Sequence, residues 1–165
     1  MRIHLAGDSR GYELARGLEK KLAAAGHEVA WHAAEAYDEG DDYPIYAIRV
    51  GQAVIADEDA GVPVRGVLVG STGAGEAIAA NKVSGVRAIP GLGADFVRSA
   101  RRHADADILT LGTDFVDAAT ALQLVELLIS EPFDNLLEDA RRIVNTNEFE
   151  SAGTIEGWLI EASSS

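Results

Sequence analysis

The residues with the clearest chemical potential lie in a glycine-rich segment, 70–76, which reads Gly-Ser-Thr-Gly-Ala-Gly-Glu. It follows the apolar run 66–69 and leads into a helix-like stretch, so its backbone N–H groups can converge on an anion at the start of a helix. Small residues permit that approach because a larger side chain would block the backbone. Within the segment, the Thr72 hydroxyl could donate a hydrogen bond, and the Glu76 carboxylate could move a proton.

Taken alone, this pattern leaves several interpretations open. A plain strand-to-helix turn explains the glycines about as well, and an acid such as Glu76 in a first helical turn can simply compensate the helix dipole. Asp8 could be an N-cap, and His103 could be favoured at a helix C-terminus. A nucleotide-binding domain fits less well, because the first strand is not followed by G-x-G-x-x-G and no Gly-Lys-Ser/Thr completes a P-loop.

The amino-acid composition excludes several kinds of site and partner. The chain has no cysteine, which excludes disulfides, zinc–thiolate sites and thiol nucleophiles. It has 27 acidic and 14 basic residues, a net charge of −13, and no basic run longer than two residues. Nucleic acid is therefore not an expected partner, since its binding depends on Lys and Arg that neutralise phosphates. No apolar stretch approaches the roughly 20 residues that span a membrane, and no signal peptide is visible, so we expect no membrane partner and a cytoplasmic location.

Short apolar runs alternate with longer amphipathic stretches along the 165 residues. The second predicted helix begins at Pro44 and has Ile45, Ile48 and Ile55 on one side. This alternation predicts an α/β fold, a three-layer α/β/α sandwich whose five-stranded parallel sheet is Rossmann-like, with an extra C-terminal helix. The predicted strands are 2–7, 28–32, 66–69, 86–90 and 108–111. The other predicted helices lie around Leu14, Leu18 and Leu22, after Gly75, and at 94–103, 117–129 and 134–145.

In an open parallel sheet, ligands bind beyond the carboxyl ends of the strands. Three polar or glycine-rich segments are expected there. They are residues 8–11 after the first strand, residues 70–76 after the third and residues 112–114 after the fifth.

Four stretches of the sequence resemble motifs of the type B ribose-5-phosphate isomerase and galactose-6-phosphate isomerase family. Residues 7–14, GDSRGYEL, are similar to the family's opening motif, and Asp42-Tyr43-Pro44 resembles its Asp-Tyr-Pro. Residues 70–82, GSTGAGEAIAANK, are close to its most specific stretch, while residues 86–88 and His103 fall at its spacing. The resemblance implies a sugar isomerase domain over residues 1–148, followed by a tail, 149–165, in which Ile155, Trp158 and Leu159 could dock on another surface.

The resemblance implies an aldose–ketose isomerase that works through a cis-enediol, without metal or cofactor. A base removes the proton from the carbon beside the carbonyl and returns it to the neighbouring carbon. One branch of the family uses a cysteine at the position of Gly70, and the other uses a glutamate that matches Glu76. Thr72 would hydrogen-bond the reacting oxygens. The enediolate would be held by the N–H groups of Gly73, Ala74 and Gly75.

Further roles follow from the same resemblance. His103 matches the histidine that opens the sugar ring, Asp8 would contact the ring oxygen or a hydroxyl, and Tyr43 would line the pocket. The other expected substrate-binding residues are Ser9, Arg10, Ser71, Asn81, Asp114, Glu138 and Arg142.

The sequence departs from the family at the phosphate end of the pocket. Family members bind phosphate with one histidine and three arginines, and only one cation survives at the matching positions, which are Ser9, Asp114, Glu138 and Arg142. Ala104 also replaces an asparagine. Either Arg10 and Arg142, with Arg141, rebuild a weaker phosphate site, or the substrate is an unphosphorylated sugar. The second alternative is favoured, because Asp114 and Glu138 would repel a phosphate.

A non-catalytic sugar-binding homologue is the remaining alternative. Against it, Glu76, Thr72, Asp8 and His103 are all retained. Family members form dimers or dimers of dimers, in which the last helix reaches the neighbour's site. The same assembly here would place Glu138 and Arg142 in the partner's pocket.

Overall fold

Five parallel strands form one sheet in the computed structural model, which describes residues 1–153. Their order across the sheet is β2-β1-β3-β5-β4, and all four pairings are parallel. The strands are β1 (Arg2–Gly7), β2 (Glu28–Trp31), β3 (Val64–Gly70), β4 (Ala88–Pro90) and β5 (Ile108–Gly112). The helices are α1 (Tyr12–Ala24), α2 (Tyr43–Asp59), α3 (Ala74–Ala80), α4 (Ala94–Ala104), α5 (Ala118–Ser130) and α6 (Leu137–Ala152).

Helices cover both faces of the sheet, which confirms the predicted three-layer sandwich. Alternate residues of each strand point to opposite faces, so the sheet contributes to two separate cores. Leu5 and Val69 pack in the core beneath α1, α4 and α5, whereas Leu68 and Ile108 pack in the core beneath α2 and α3. Among the described residues, no helix is both long and apolar enough to cross a membrane.

The isoleucines of α2 differ in how far they are buried. Ile45 and Ile48 are 52% and 38% exposed, whereas Ile55 is partly buried against the core. The face that packs on the sheet is formed by Ala47, Val50 and Val54, each 0% exposed. The apolar repeat of the isoleucines therefore indicated a helix, but the face that is fully buried is the one formed by Ala47, Val50 and Val54.

Strand and helix ends differ from the predicted ones at several places. β3 begins two residues earlier than predicted, at Val64, and β4 begins two residues later, at Ala88. α6 begins at Leu137, after Asn135 with a φ of 52°, and it continues to Ala152 rather than ending near 145. Its last turn is held by Glu150, whose carboxylate accepts hydrogen bonds from Ser84 Oγ and Gly85 N. The tail residues Ile155, Trp158 and Leu159 lie outside the described residues.

The strand order creates a crevice at the carboxyl end of the sheet. β1 and β3 are neighbours, and the chain leaves them in opposite directions, to β2 on one side and towards β5 and β4 on the other. Ligands of open α/β sheets bind at such a switch point. Here the loop after β1 packs directly on the last residues of β3, because a Cβ added to Gly11 would lie 1.9 Å from the carbonyl oxygen of Val69.

Candidate active site

Asp8, directly after β1, lies at one wall of this crevice and is 9% exposed. Its Oδ1 accepts hydrogen bonds from the backbone N–H groups of Arg10 and Gly11, each at 2.9 Å. These bonds fix the turn before α1, whose N-cap is Gly11 rather than Asp8. Oδ2 makes no hydrogen bond within residues 1–153, so this oxygen is available to a ligand.

Glu76, in the first turn of α3, forms the opposite wall and is only 4% exposed. Its carboxylate fills the space that a side chain at position 70 would need. A Cβ added to Gly70 would lie 1.6 Å from Oε1 and 2.5 Å from Cδ of Glu76. The buried position of the Glu76 carboxylate is therefore possible only because residue 70 is a glycine.

Burial raises the pKa of the Glu76 carboxyl group, because the charged form loses water. The negative charges of Asp8 and Asp42 raise this pKa further, and a contact with the residue's own backbone N–H opposes the effect. A carboxylate with a raised pKa is a stronger base once it is ionised, which is the property a proton-abstracting group needs.

The loop between β3 and α3 presents unpaired backbone donors beside this carboxylate. Gly73 is the N-cap of α3 with a φ of 78°, a conformation that favours glycine. The first backbone hydrogen bond of the helix is donated by Ala77, so the N–H groups of Gly73 and Gly75 have no acceptor within residues 1–153. Thr72 Oγ1 accepts a hydrogen bond from Ala74 N at 3.2 Å. The loop can therefore hold an oxyanion through its free N–H groups.

The segment after β5 braces the same loop. The N–H group of Thr113 donates to the Gly70 carbonyl at 2.9 Å, and the N–H group of Asp114 donates to the Ser71 carbonyl at 3.0 Å. The Asp114 side chain is exposed beside the loop. A cavity of ≈ 320 Å³ lies next to Thr72, with mostly apolar walls.

Tyr43 closes the crevice from the start of α2. A Cβ added to Gly75 would lie 2.5 Å from Cζ and 2.8 Å from the hydroxyl oxygen of Tyr43, so the ring packs directly on the glycine-rich loop. Tyr46 lines the same cleft one helical turn later and was not predicted. Its three-residue spacing from Tyr43 was the available signal. Burial and a hydrogen bond with Asp41 raise the pKa of the Tyr46 hydroxyl.

Asp8, Tyr43, Tyr46 and Glu76 thus meet in one cleft, as the switch-point argument predicts for the two acids. Ser9 and Arg10 follow Asp8 at its entrance. Ser9 is half-buried, whereas Arg10 is exposed and makes no ion pair within residues 1–153. Within residues 1–153 the cleft is shallow and has too little room to enclose a sugar.

Asn81, a predicted substrate-binding residue, makes its side-chain hydrogen bonds within the fold. Its side-chain nitrogen donates to the Ala88 carbonyl at 2.9 Å, and its side-chain oxygen accepts from the Ala88 N–H at 2.8 Å. The amide is therefore occupied in joining the end of α3 to β4. It has a structural role in this chain.

His103, Arg142 and Glu138 lie away from the cleft. α4 runs antiparallel to the strands, so His103, in its last turn, is at the amino end of β5, whereas Glu76 lies beyond the carboxyl end of β3. The length of β5, about 13 Å at the rise of a strand, separates the two ends of the sheet. One chain cannot bring its own His103 to its own Glu76.

His103 instead belongs to a second cluster between α4 and α6. Its Nδ1 lies 3.0 Å from Oδ2 of Asp139, and Arg142 is hydrogen-bonded to Oδ1 of the same carboxylate at 2.6 Å. A cavity of ≈ 310 Å³ adjoins His103 and Arg142. Glu138 is exposed at the start of α6. Among residues 1–153, no three His, Asp or Glu side chains are arranged to hold a metal ion.

Comparison with known proteins identifies the chain. A family model described as Ribose/Galactose Isomerase matches residues 3–146. Ribose-5-phosphate isomerase B from Mycobacterium leprae is 34% identical over 150 residues, covering 91% of this chain and 90% of that protein. The Clostridium thermocellum ribose-5-phosphate isomerase B structure is 34% identical, with a TM-score of 0.85, covering 93% of this chain and 100% of that one. The Mycoplasma genitalium enzyme with bound ribulose-5-phosphate is 28% identical, with a TM-score of 0.84, covering 92% and 97%.

These matches extend over almost all of the described fold and include the loop, the cleft and the α4–α6 cluster. They define the class of the protein as an enzyme that isomerises sugars. Within that class, the chain belongs to the ribose/galactose isomerase family.

Proposed function

We propose that this protein interconverts a small aldose and its ketose by proton transfer, with Glu76 as the base. The observation that carries the proposal is the buried Glu76 carboxylate, which occupies the side-chain space of Gly70 and faces Asp8 across the cleft. Its surroundings raise its pKa and supply unpaired N–H donors on the same loop. A base and an oxyanion hole in contact are what an enolisation requires.

The reaction can be written with this chain's own groups. Glu76 takes the proton from C2 of the open-chain aldose, and the electron pair of that C–H bond forms the enediolate, whose negative oxygen accepts from the N–H groups of Gly73 and Gly75. The proton of the C2 hydroxyl passes to the C1 oxygen. Glu76 then returns its proton to C1, which leaves the carbonyl at C2. Thr72, on the same loop, would hydrogen-bond the reacting oxygens.

We propose further that two protomers complete each site. The cleft of one chain is too shallow to enclose a sugar, and His103 and Arg142 lie at the opposite end of the sheet. Large apolar side chains are exposed near the loop, with Leu92 at 72% and Phe115 at 76% exposure. Exposed apolar groups of this kind favour association with another copy. A second chain would thus supply its His103–Asp139–Arg142 cluster to the cleft.

An unphosphorylated sugar fits the charges of this chain best. Arg142, the one cation retained at the family's phosphate positions, is already paired with Asp139. Asp114 and Glu138 are both exposed, and the chain carries a net charge of −13. A dianionic phosphate would meet these carboxylates, and among the described residues of α6 only Arg141 offers a cation that is not already in an ion pair.

Ribose 5-phosphate is the second candidate substrate. It is favoured by the exposed, unpaired Arg10 at the cleft entrance and by relatives that are ribose-5-phosphate isomerases B. In this case Arg10 and Arg142 would hold the phosphate together.

A panel of free and phosphorylated aldoses, assayed for ketose formation, tests both candidates. We expect turnover of free pentoses or hexoses that exceeds turnover of ribose 5-phosphate, and no turnover by Glu76→Gln. Ordinary activity on ribose 5-phosphate with none on free sugars would support the second candidate. Unchanged turnover by Glu76→Gln would show that the base is another group, and no turnover of any sugar would favour a binding protein.

A further inference from the structure

The buried face of α6 contains an unexpected residue. Of the 16 residues of this helix, the one buried residue is Asp139, a carboxylate that is 3% exposed. Burial of an ionised carboxylate is unfavourable unless its oxygens are hydrogen-bonded. Both Asp139 oxygens have partners, Oδ2 with His103 Nδ1 at 3.0 Å and Oδ1 with Arg142 at 2.6 Å.

These contacts determine which nitrogen of His103 carries the proton. The hydrogen bond from His103 holds the pKa of the Asp139 carboxyl group below its usual range, with a further contribution from Arg142. An ionised carboxylate can only accept hydrogen bonds, so His103 Nδ1 must be the donor. Nε2 has no partner within residues 1–153, and the His103 side chain is 51% exposed.

We propose that Asp139 is a positioning residue that holds His103 in the Nδ1–H tautomer and leaves the Nε2 lone pair free to open the sugar ring. Only the use of Nε2 rests on the proposed isomerase function. The tautomer and the orientation of the ring follow from the contacts of Asp139 alone.

The ring-opening step can be balanced with this arrangement. Nε2 takes the proton of the anomeric hydroxyl, and the O–H electron pair becomes part of the C1 carbonyl. The bond from C1 to the ring oxygen breaks, its electron pair stays on the ring oxygen, and that oxygen takes a proton from water. The imidazolium then returns its proton to the resulting hydroxide. Asp139 accepts from Nδ1–H throughout and stabilises the transient positive charge.

The tautomer can be measured directly by ¹⁵N NMR of the full-length protein at a pH where histidine is neutral, with His103 assigned from the His103→Gln spectrum. We expect a protonated Nδ1 and an unprotonated Nε2 in the wild type. Asp139→Asn keeps the shape of the side chain but can present an N–H group to Nδ1, so the Nε2–H form should become populated. An equal mixture of tautomers in the wild type, or the same spectrum in both proteins, would overturn the proposal.

The role in ring opening is tested with two tetroses that differ in one methyl group. Erythrose closes to a furanose, whereas 4-O-methylerythrose cannot. Asp139→Asn should lower kcat on erythrose by about 10- to 100-fold, part of the contribution of a well-placed acid–base group. It should lower kcat on 4-O-methylerythrose much less, because that sugar needs no ring opening. Equal losses on the two sugars would overturn the role in ring opening.

Glu150→Ala is the matched control, because Glu150 also anchors α6, at Ser84 and Gly85, far from His103. If the effect of Asp139→Asn came from a loosened helix, Glu150→Ala would reproduce it. We expect no change in the His103 tautomer in this control, and the opposite result would contradict a positioning role. If wild-type protein turned over neither tetrose, the proposed function would be in question for tetroses, whereas the NMR result would still decide the tautomer.

Discussion

At the scale of single residues, the proposed site depends on the Glu76 carboxylate, which occupies the space that a side chain at position 70 would need. Gly70 and Glu76 compete for one volume, and glycine leaves that volume to the acid. The sequence showed both residues but not their overlap, because six positions along a loop do not reveal which atoms will meet. The burial that raises the pKa of Glu76 also makes its ionised form unfavourable for folding.

Replacing Glu76 by Gln should therefore abolish turnover and stabilise the fold. We expect kcat to fall by about 10²-fold or more, because the base is lost. The folded-state pKa of Glu76 lies above its unfolded value, so its contribution to stability is present at low pH and is lost as the pH rises through the folded value. The melting temperature of Glu76→Gln relative to wild type should rise between pH 4 and pH 8. A variant that melts lower at pH 8 than wild type would contradict this account.

Replacing Gly70 by Ala tests the shared volume. The new Cβ would lie 1.6 Å from Oε1 of Glu76, so the carboxylate must move, and a misplaced base can reduce kcat by about 10²-fold. Gly17→Ala is the control, since a Cβ there meets nothing within 4 Å in the middle of α1. It should raise the free energy of unfolding by about 0.5–1 kcal/mol and leave kcat unchanged. Normal kcat in Gly70→Ala would disprove the overlap.

At the scale of elements, the amino end of the sheet is held by a buried acid that plays no part in the proposed reaction. Asp107 precedes β5 and is 0% exposed, and its carboxylate accepts hydrogen bonds from the Arg87 N–H at 3.0 and 3.2 Å. Burial raises the pKa of Asp107 to about 6, although Arg87 opposes the change. The segment that joins β4 to the sheet therefore becomes less stable as this group ionises.

The stability of Asp107→Asn should depend on pH in a defined direction. Wild type loses stability relative to the variant as the pH rises through about 6, since the folded-state pKa lies above the unfolded value of 3.8. Between pH 4 and pH 7, the difference in free energy of unfolding between the variant and wild type should increase by up to about 3 kcal/mol in favour of the variant. Urea titrations measure this difference. Asp95→Asn, at a fully exposed carboxylate, should show no such trend.

Most elements could be predicted because strand and helix periods are local properties of the sequence. The sequence did not indicate which side of each helix is buried. The Ile45–Ile48 stripe identified α2 correctly but faces solvent, because only the packing of α2 on β1 and β3 decides which side is covered. The end of α6 was missed for a similar reason, since its last turn is held by Glu150 through contacts 65 and 66 residues away in sequence.

At the scale of the whole molecule, the two halves of the proposed site lie at opposite ends of one sheet. The sequence predicted that the segments of Asp8 and Glu76 lie beyond the carboxyl ends of their strands, and the strand order brings them together because β1 and β3 are neighbours. The separation of His103 was also implicit in the sequence. A helix that follows a strand returns to that strand's amino end, so a residue in its last turn cannot face the carboxyl end. The link of His103 to Asp139, by contrast, has no signal in spacing or composition.

Mixing two inactive variants tests whether protomers share their sites. Glu76→Gln lacks the proposed base and His103→Gln lacks the proposed ring-opening group, so each should be inactive alone on a cyclic aldose. After dissociation and random reassembly into dimers, half are mixed and each mixed dimer has one intact site, which gives about a quarter of wild-type activity. Activity that stays at zero, although mixed dimers are detected by native mass spectrometry, would show that each chain forms its own site.

The antiparallel course of α4 affects how the protein could evolve after gene duplication. A catalytic site divided between the two ends of a chain can be lost one half at a time. If the gene is duplicated, one copy can lose its carboxylate at position 76 while the other loses its histidine at position 103, and neither loss is lethal to the pair. The two products would then depend on each other, and a symmetric enzyme would have become an obligate partnership with one working site in each pair.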